Sequence, residues 1–211
     1  NFVQPKHEIN HSTARRERFV LANGLTVVLE NAPQFSSVAL ALWLPVGSRD
    51  ESPEQGGASH LLEHLLFKGT TKRTYREISR AIEKRGGELN AAPGRETTQY
   101  FVQISNRHRK IALDVLSDMF FSSTLPSEEF EDEKKVILEE IRMGEDIPEE
   151  YALDLFYLDA FGQSTLGRPI TGTTDSLAQI ERENLMQFYQ DRYHPTNGVL
   201  SIAGQLYNSA S

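Results

Sequence analysis

The chain has 211 residues, a formal charge of −8 and no cysteine. That length can bury a core and favours one domain by default, while the lack of cysteine excludes disulfides and thiolate metal sites, leaving His, Asp and Glu as metal donors. The acidic balance argues against nucleic-acid binding and favours basic or cationic ligands through long-range attraction, and no apolar run approaches the roughly 18 residues that would span a bilayer.

The first 18 residues are polar rather than signal-like, so a soluble chain is expected. Position 1 is Asn rather than Met, so the true start is expected to have been processed or removed, and any targeting segment could have gone with it. The compartment therefore stays open among a bacterial cytoplasm, a periplasm and a mitochondrial matrix. Residues 19–29 alternate around Asn23-Gly24, the strongest short hairpin signal. In residues 38–44, Val38, Leu40, Leu42 and Leu44 share one face while Ala39, Ala41 and Trp43 share the other, which predicts an inner strand covered on both sides. After a loop over 47–57, residues 58–67 are apolar nearly all round except at His60, Glu63 and His64, as in a buried helix. A second helix is predicted over 74–85, opened by a Thr74-x-x-Glu77 capping box and closed by Gly86-Gly87.

Farther along, Thr98, Tyr100, Val102 and Ile104 alternate as in a strand. Asn106 opens a predicted helix to Phe121, and Ser127 a longer one to Met143, with more helix to Phe161. The end returns to a helix over 181–189 and a short strand over 199–203. No repeat, low-complexity tract or interdomain linker interrupts this order. The expected fold is an α+β domain, a largely antiparallel sheet packed with helices. An N-terminal extension over 1–15 precedes a single domain over 16–211.

The chemistry concentrates in His60-Leu61-Leu62-Glu63-His64. On a helix, residues four apart stand one above the other, so both imidazoles can reach one ion, and Glu63 projects within roughly 100° of them. Leu61, Leu62, Leu65 and Leu66 take the opposite side. A catalytic zinc site usually has three protein ligands and one position open to water, so a third donor is required elsewhere. The predicted helix over 127–143 offers one. Phe130, Glu133, Val136, Ile137, Glu140 and Ile141 fall within roughly 140° of its circumference. Glu133 and Glu140 thus lie on the apolar side, where a carboxylate is costly unless a cation or hydrogen bonds compensate it. Glu131, Asp132, Lys135 and Glu139 face elsewhere. With Glu140 as the third ligand, one zinc ion would lower the pKa of its water and polarise a peptide carbonyl. Glu63 would take the proton and pass it to the leaving amine. Glu133, two turns before Glu140, is better placed to serve catalysis by orienting a histidine ring or the ligand carboxylate. Plain core histidines or a structural metal are the competing readings, and removing the metal would then change stability or nothing rather than turnover.

These residues resemble the inverted-motif zinc peptidases, the inverzincins, which include pitrilysin, insulin-degrading enzyme and the mitochondrial processing peptidase. The family's downstream glutamate matches Glu140 within Val136-Ile137-Leu138-Glu139-Glu140-Ile141, at the spacing of the processing branch, and Glu133 matches its second glutamate. Gly47-Ser48-Arg49-Asp50-Glu51, Phe67-Lys68-Gly69-Thr70, Gly86-Gly87, Leu166-Gly167-Arg168-Pro169 and Tyr193-His194-Pro195-Thr196-Asn197 look like further family signatures. The likeness covers about residues 16–204. It implies a zinc endopeptidase acting on extended or unfolded peptides, with Asn90 and Ala91 at the sheet edge where substrate adds as a strand. The sequence departs there, with Ala92-Pro93-Gly94 in place of the family's tyrosine-threonine-serine before Arg95-Glu96. Family members also resemble two such halves around a chamber, so a second half-domain or a partner subunit, as a homo- or heterodimer, is implied. The alternative within the same fold is a noncatalytic subunit that binds peptides or supports an assembly.

Overall fold

The computed structural model describes residues 15–162 and 164–206, so the expected N-terminal extension, apart from Arg15, lies outside the described residues. Strands β1 (Arg15–Val20) and β2 (Thr26–Asn31) form the hairpin that Asn23-Gly24 signalled. Gly24 sits at φ +89, open to glycine without strain, and its N–H donates to the Leu21 carbonyl at 2.9 Å. The Asn23 side chain accepts from the Leu25 N–H at 3.2 Å and closes the loop.

Strand β3 (Ser37–Leu44) buries Val38, Leu40, Leu42 and Leu44, as its alternation requires. Its other face is not covered as expected, since Trp43 is 40% exposed and Ala39 is exposed. Alternation identifies two apolar faces without showing that both have a partner layer. Among the described residues the sheet has six strands in the order β1-β2-β6-β3-β5-β4, with β4 (Glu88–Pro93), β5 (Thr98–Ser105) and β6 (Val199–Gly204). Every pairing is antiparallel except β2 with β6, because β6 returns from the far end of the chain to fill the gap between β2 and β3. Among the described residues, strand β4 closes one edge of the sheet and pairs only with β5.

Seven helices complete the described chain: α1 (Ala58–Leu66), α2 (Tyr75–Glu83), α3 (Arg109–Ser122), α4 (Ser127–Asp146), α5 (Pro148–Phe161), α6 (Thr174–Gln179) and α7 (Arg182–Arg192). Leu61, Leu62, Leu65 and Leu66 of α1 are fully buried, each contributing about 1.5–3 kcal/mol relative to exposure. Helix α2 starts at the expected capping box, where the Thr74 N–H donates to Glu77 Oε2 at 2.9 Å. Helix α4 begins at Ser127 and runs to Asp146, three residues past the expected Met143, with α5 starting at Pro148. A proline cannot donate to the preceding turn and disfavours helical geometry in Ile147, so the break falls there. No helix among the described residues is long and apolar enough to cross a membrane.

Candidate metal centre

Helix α1 is anchored at its first turn by an acid from the preceding loop. The buried Glu51 carboxylate accepts the Gly57 N–H at 2.9 Å and the Ser59 N–H at 2.7 Å. These are N–H groups that no helical carbonyl can satisfy. Gly57, at φ +95, packs so closely that a Cβ there would meet the Thr171 carbonyl oxygen at 2.6 Å. Arg168 donates to the Glu51 backbone carbonyl at 2.8 Å and ties in the loop before α6. Burial raises the Glu51 pKa to about 7, and the N–H groups of Ser59 and Gly57 only partly oppose it.

The next turn of α1 presents His60, Glu63 and His64 toward α4. Nε2 of His60 and Nε2 of His64 lie 3.6 and 3.7 Å from Glu140 Oε2. The three donors fall within 4.8 Å of one another. Tetrahedral zinc with bonds of about 2.0–2.2 Å separates its ligand atoms by about 3.3–3.6 Å, so the donor set fits the ion in number, type and spacing. Burial first, then the neighbouring His64, lowers the His60 pKa to about 4, which keeps that imidazole neutral as a ligand must be. Glu63 Oε2 stands 3.9 Å from His60 Nε2 and 3.7 Å from His64 Nε2, beside the cluster. Burial raises the Glu63 pKa, His64 lowers it, and the charges of Glu140 and Glu133 raise it further.

Glu133 is buried, and its Oε2 lies 2.8 Å from Nδ1 of His64. With Nε2 facing the donor cluster, Nδ1 carries the proton and donates it to this carboxylate. Glu140, in contrast, has a side chain 41% exposed, and Val136 is 43% exposed. The helical-wheel argument therefore holds fully for Glu133 but not for Glu140 or Val136, because α4 turns this flank away from the core toward a cleft. Glu140 is set apart by its reach to both imidazoles. Glu139 points outward and pairs with Arg142.

Asn90 and Ala91 sit on the edge strand β4. Exposed Asn90 lines a hollow of about 270 Å³ with Glu63, His64, Phe67, Lys68 and Glu133, whereas Ala91 packs partly against the core. A larger hollow, about 460 Å³, runs from Glu140 between α4 and α5, and its walls include Glu145, Glu150, Asp154 and Asp175. Arg95 holds Asp154 at 2.9 Å and lies over the Tyr157 ring at 3.6 Å. Sequence reasoning did not assign roles to Glu51 or Lys68. Each lies in a stretch without a periodic pattern, within a segment that the family resemblance marks, and its partners in space give the role.

Two donors four residues apart on one buried helix and a third from a facing helix, with a carboxylate beside them, could hold a metal ion. The family described as Insulinase (Peptidase family M16) matches residues 26–174, and the chain belongs to it. An uncharacterized zinc protease of Bacillus subtilis is 42% identical over 193 residues, covering 92% of this chain and 47% of that protein. One from Streptomyces coelicolor is 41% identical over 196 residues, covering 93% of this chain and 43% of its own length. The crystal structure of a protease from Helicobacter pylori superposes with a TM-score of 0.87 at 27% identity, over 93% of this chain and 47% of that one. Pitrilysin shares the fold at a TM-score of 0.85 and 20% identity, over 97% of this chain and 23% of that one. The chain thus spans about half the length of the curated relatives it matches.

Proposed function

We propose that residues 16–211 form the metal-binding half of a zinc endopeptidase, in which His60, His64 and Glu140 hold one ion. The observation that carries this reading is the convergence of those three donors with Glu63 only 3.7–3.9 Å from the imidazole nitrogens. When bound, zinc would acidify a water at its open position and polarise the scissile carbonyl. Glu63 takes a proton from the attacking water and delivers it to the leaving amine, and its partly desolvated carboxyl is the more basic for that task. Glu133 fixes the His64 ring through Nδ1. An extended peptide adds to the free edge of β4 beside Asn90 and Ala91, held by main-chain hydrogen bonds. The acidic walls of the hollow beyond Glu140 suit basic stretches of such a peptide.

Relatives about twice as long favour a second half-domain or partner subunit that completes the cleft. The test is hydrolysis of an unstructured basic peptide by the full-length protein, before chelation, after it and after zinc is restored. Activity should disappear and return, and Glu63→Gln should lower it at least ~100-fold while zinc stays bound. Hydrolysis that survives both chelation and Glu63→Gln would refute the reading.

A further inference from the structure

The two oxygens of Glu133 have different partners. Oε2 meets Nδ1 of His64 at 2.8 Å, and Oε1 meets the Lys68 ammonium at 2.5 Å. The Glu133 side chain is only 7% exposed. A carboxylate so buried is costly unless a cation meets it, and the neighbouring acids Glu63 and Glu140 add only negative charge. Among the described residues, Lys68 is the one lysine or arginine within ion-pair distance of Glu133.

Lys68 follows His64 by four residues in the turn just after α1, where its backbone N–H donates to the Leu65 carbonyl at 3.1 Å and carries the helical direction on, so both side chains leave on the same side. From there its ammonium reaches across to α4, 4.0 Å from Glu129 and closer still to Glu133. The pair thus joins the two helices that supply all three metal donors. Nδ1 of His60 is buried and makes no hydrogen bond among the described residues, so His64 alone is steered from outside the cluster.

We infer that Lys68 is a positioning residue of the metal centre. By pairing with Oε1 it holds the Glu133 carboxylate so that Oε2 accepts the His64 Nδ1 proton, leaves Nε2 aimed at the ion and thereby sets zinc affinity. In this role Lys68 touches neither the ion nor the substrate, and the inference rests on the zinc site proposed above.

The test is a double-mutant cycle on the full-length protein, with zinc dissociation constants read by competition against a chromophoric chelator. Lys68→Met should weaken zinc binding by about 5- to 10-fold, near the lower end of the roughly 10- to 100-fold effects of groups that touch a ligand directly. In a Glu133→Gln background the same change should alter affinity by less than about 2-fold, because the route is already cut. Lys68→Arg, which keeps the charge, should stay within about 3-fold of wild type. Melting curves of the zinc-free variants check folding, and Lys68→Gln replaces Lys68→Met if the latter melts early. Zinc affinity unmoved by Lys68→Met, or weakened equally in both backgrounds, would overturn the inference while leaving the zinc site intact. A wild type that takes up no zinc would overturn the site itself, and the inference with it.

Discussion

Replacing Glu51 with glutamine tests how the loop before α1 holds the metal-bearing helix. The carboxyl is raised from 4.5 to about 7, chiefly by burial. Below about pH 4.5 both the folded and unfolded forms hold the proton, and the full stability is present. Between 4.5 and 7 the unfolded chain ionises while the folded one keeps its proton, so stability falls as pH rises through the folded value. The span corresponds to about 3 kcal/mol. The amide introduced by Glu51→Gln cannot titrate but offers only one accepting oxygen to the Gly57 and Ser59 N–H groups, so the variant should start below wild type near pH 4.5 and gain on it by up to about 3 kcal/mol by pH 8. For a chain of this size that is about 6–12 °C in melting temperature. The assay is thermal unfolding of zinc-free protein by circular dichroism from pH 4.5 to 8, reported as variant minus wild type. The low pKa of His60 also makes stability vary with pH, but equally in both proteins, so it cancels in the difference. A difference that stays constant across the range would refute the assignment of a buried, proton-holding cap.

Leu62→Ala, at a fully buried position on the core side of α1, should cost about 2–5 kcal/mol by urea unfolding while zinc stoichiometry is kept in the fraction that remains folded. A loss below about 1 kcal/mol would mean that α1 is not packed as described. Asp118, buried on α3, accepts from Thr70 at 2.7 Å and from Arg73 at 2.6 Å and so moors the loop after α1. Asp118→Ala should destabilise by about 3 kcal/mol, since Arg73 then keeps only the half-exposed Asp114. An unchanged unfolding midpoint would show that the loop is held by other contacts.

Much of the site is legible because helical spacing is a strong constraint. A spacing of four from His60 to His64 fixes a shared face, and a spacing of seven from Glu133 to Glu140 places both on one side of α4. Asn23-Gly24 and the Thr74–Glu77 box likewise encode local geometry in a few residues. The remainder depends on distant partners. Alternation in β3 shows two apolar faces, but the 40% exposure of Trp43 belongs to the whole arrangement of the described residues. The parallel β2–β6 pair joins residues from opposite ends of the chain, as with Thr26 and Val199, and no local signal announces it. The edge strand β4 has little β-propensity in Glu88, Asn90 and Pro93, and short α6, held by a Thr173–Ser176 cap, lacks an apolar stripe long enough to stand out. Glu51 and Lys68 are single polar residues in irregular segments, and their roles follow from where α1 comes to rest.

The central claim is the ligand set, and zinc content tests it most directly. Elemental analysis of the full-length protein should find about one zinc per chain, with Glu140→Gln losing it or binding it at least ~10-fold more weakly while still folding. Zinc retained undiminished by Glu140→Gln, or no zinc in wild type after it is offered at neutral pH, would contradict the account.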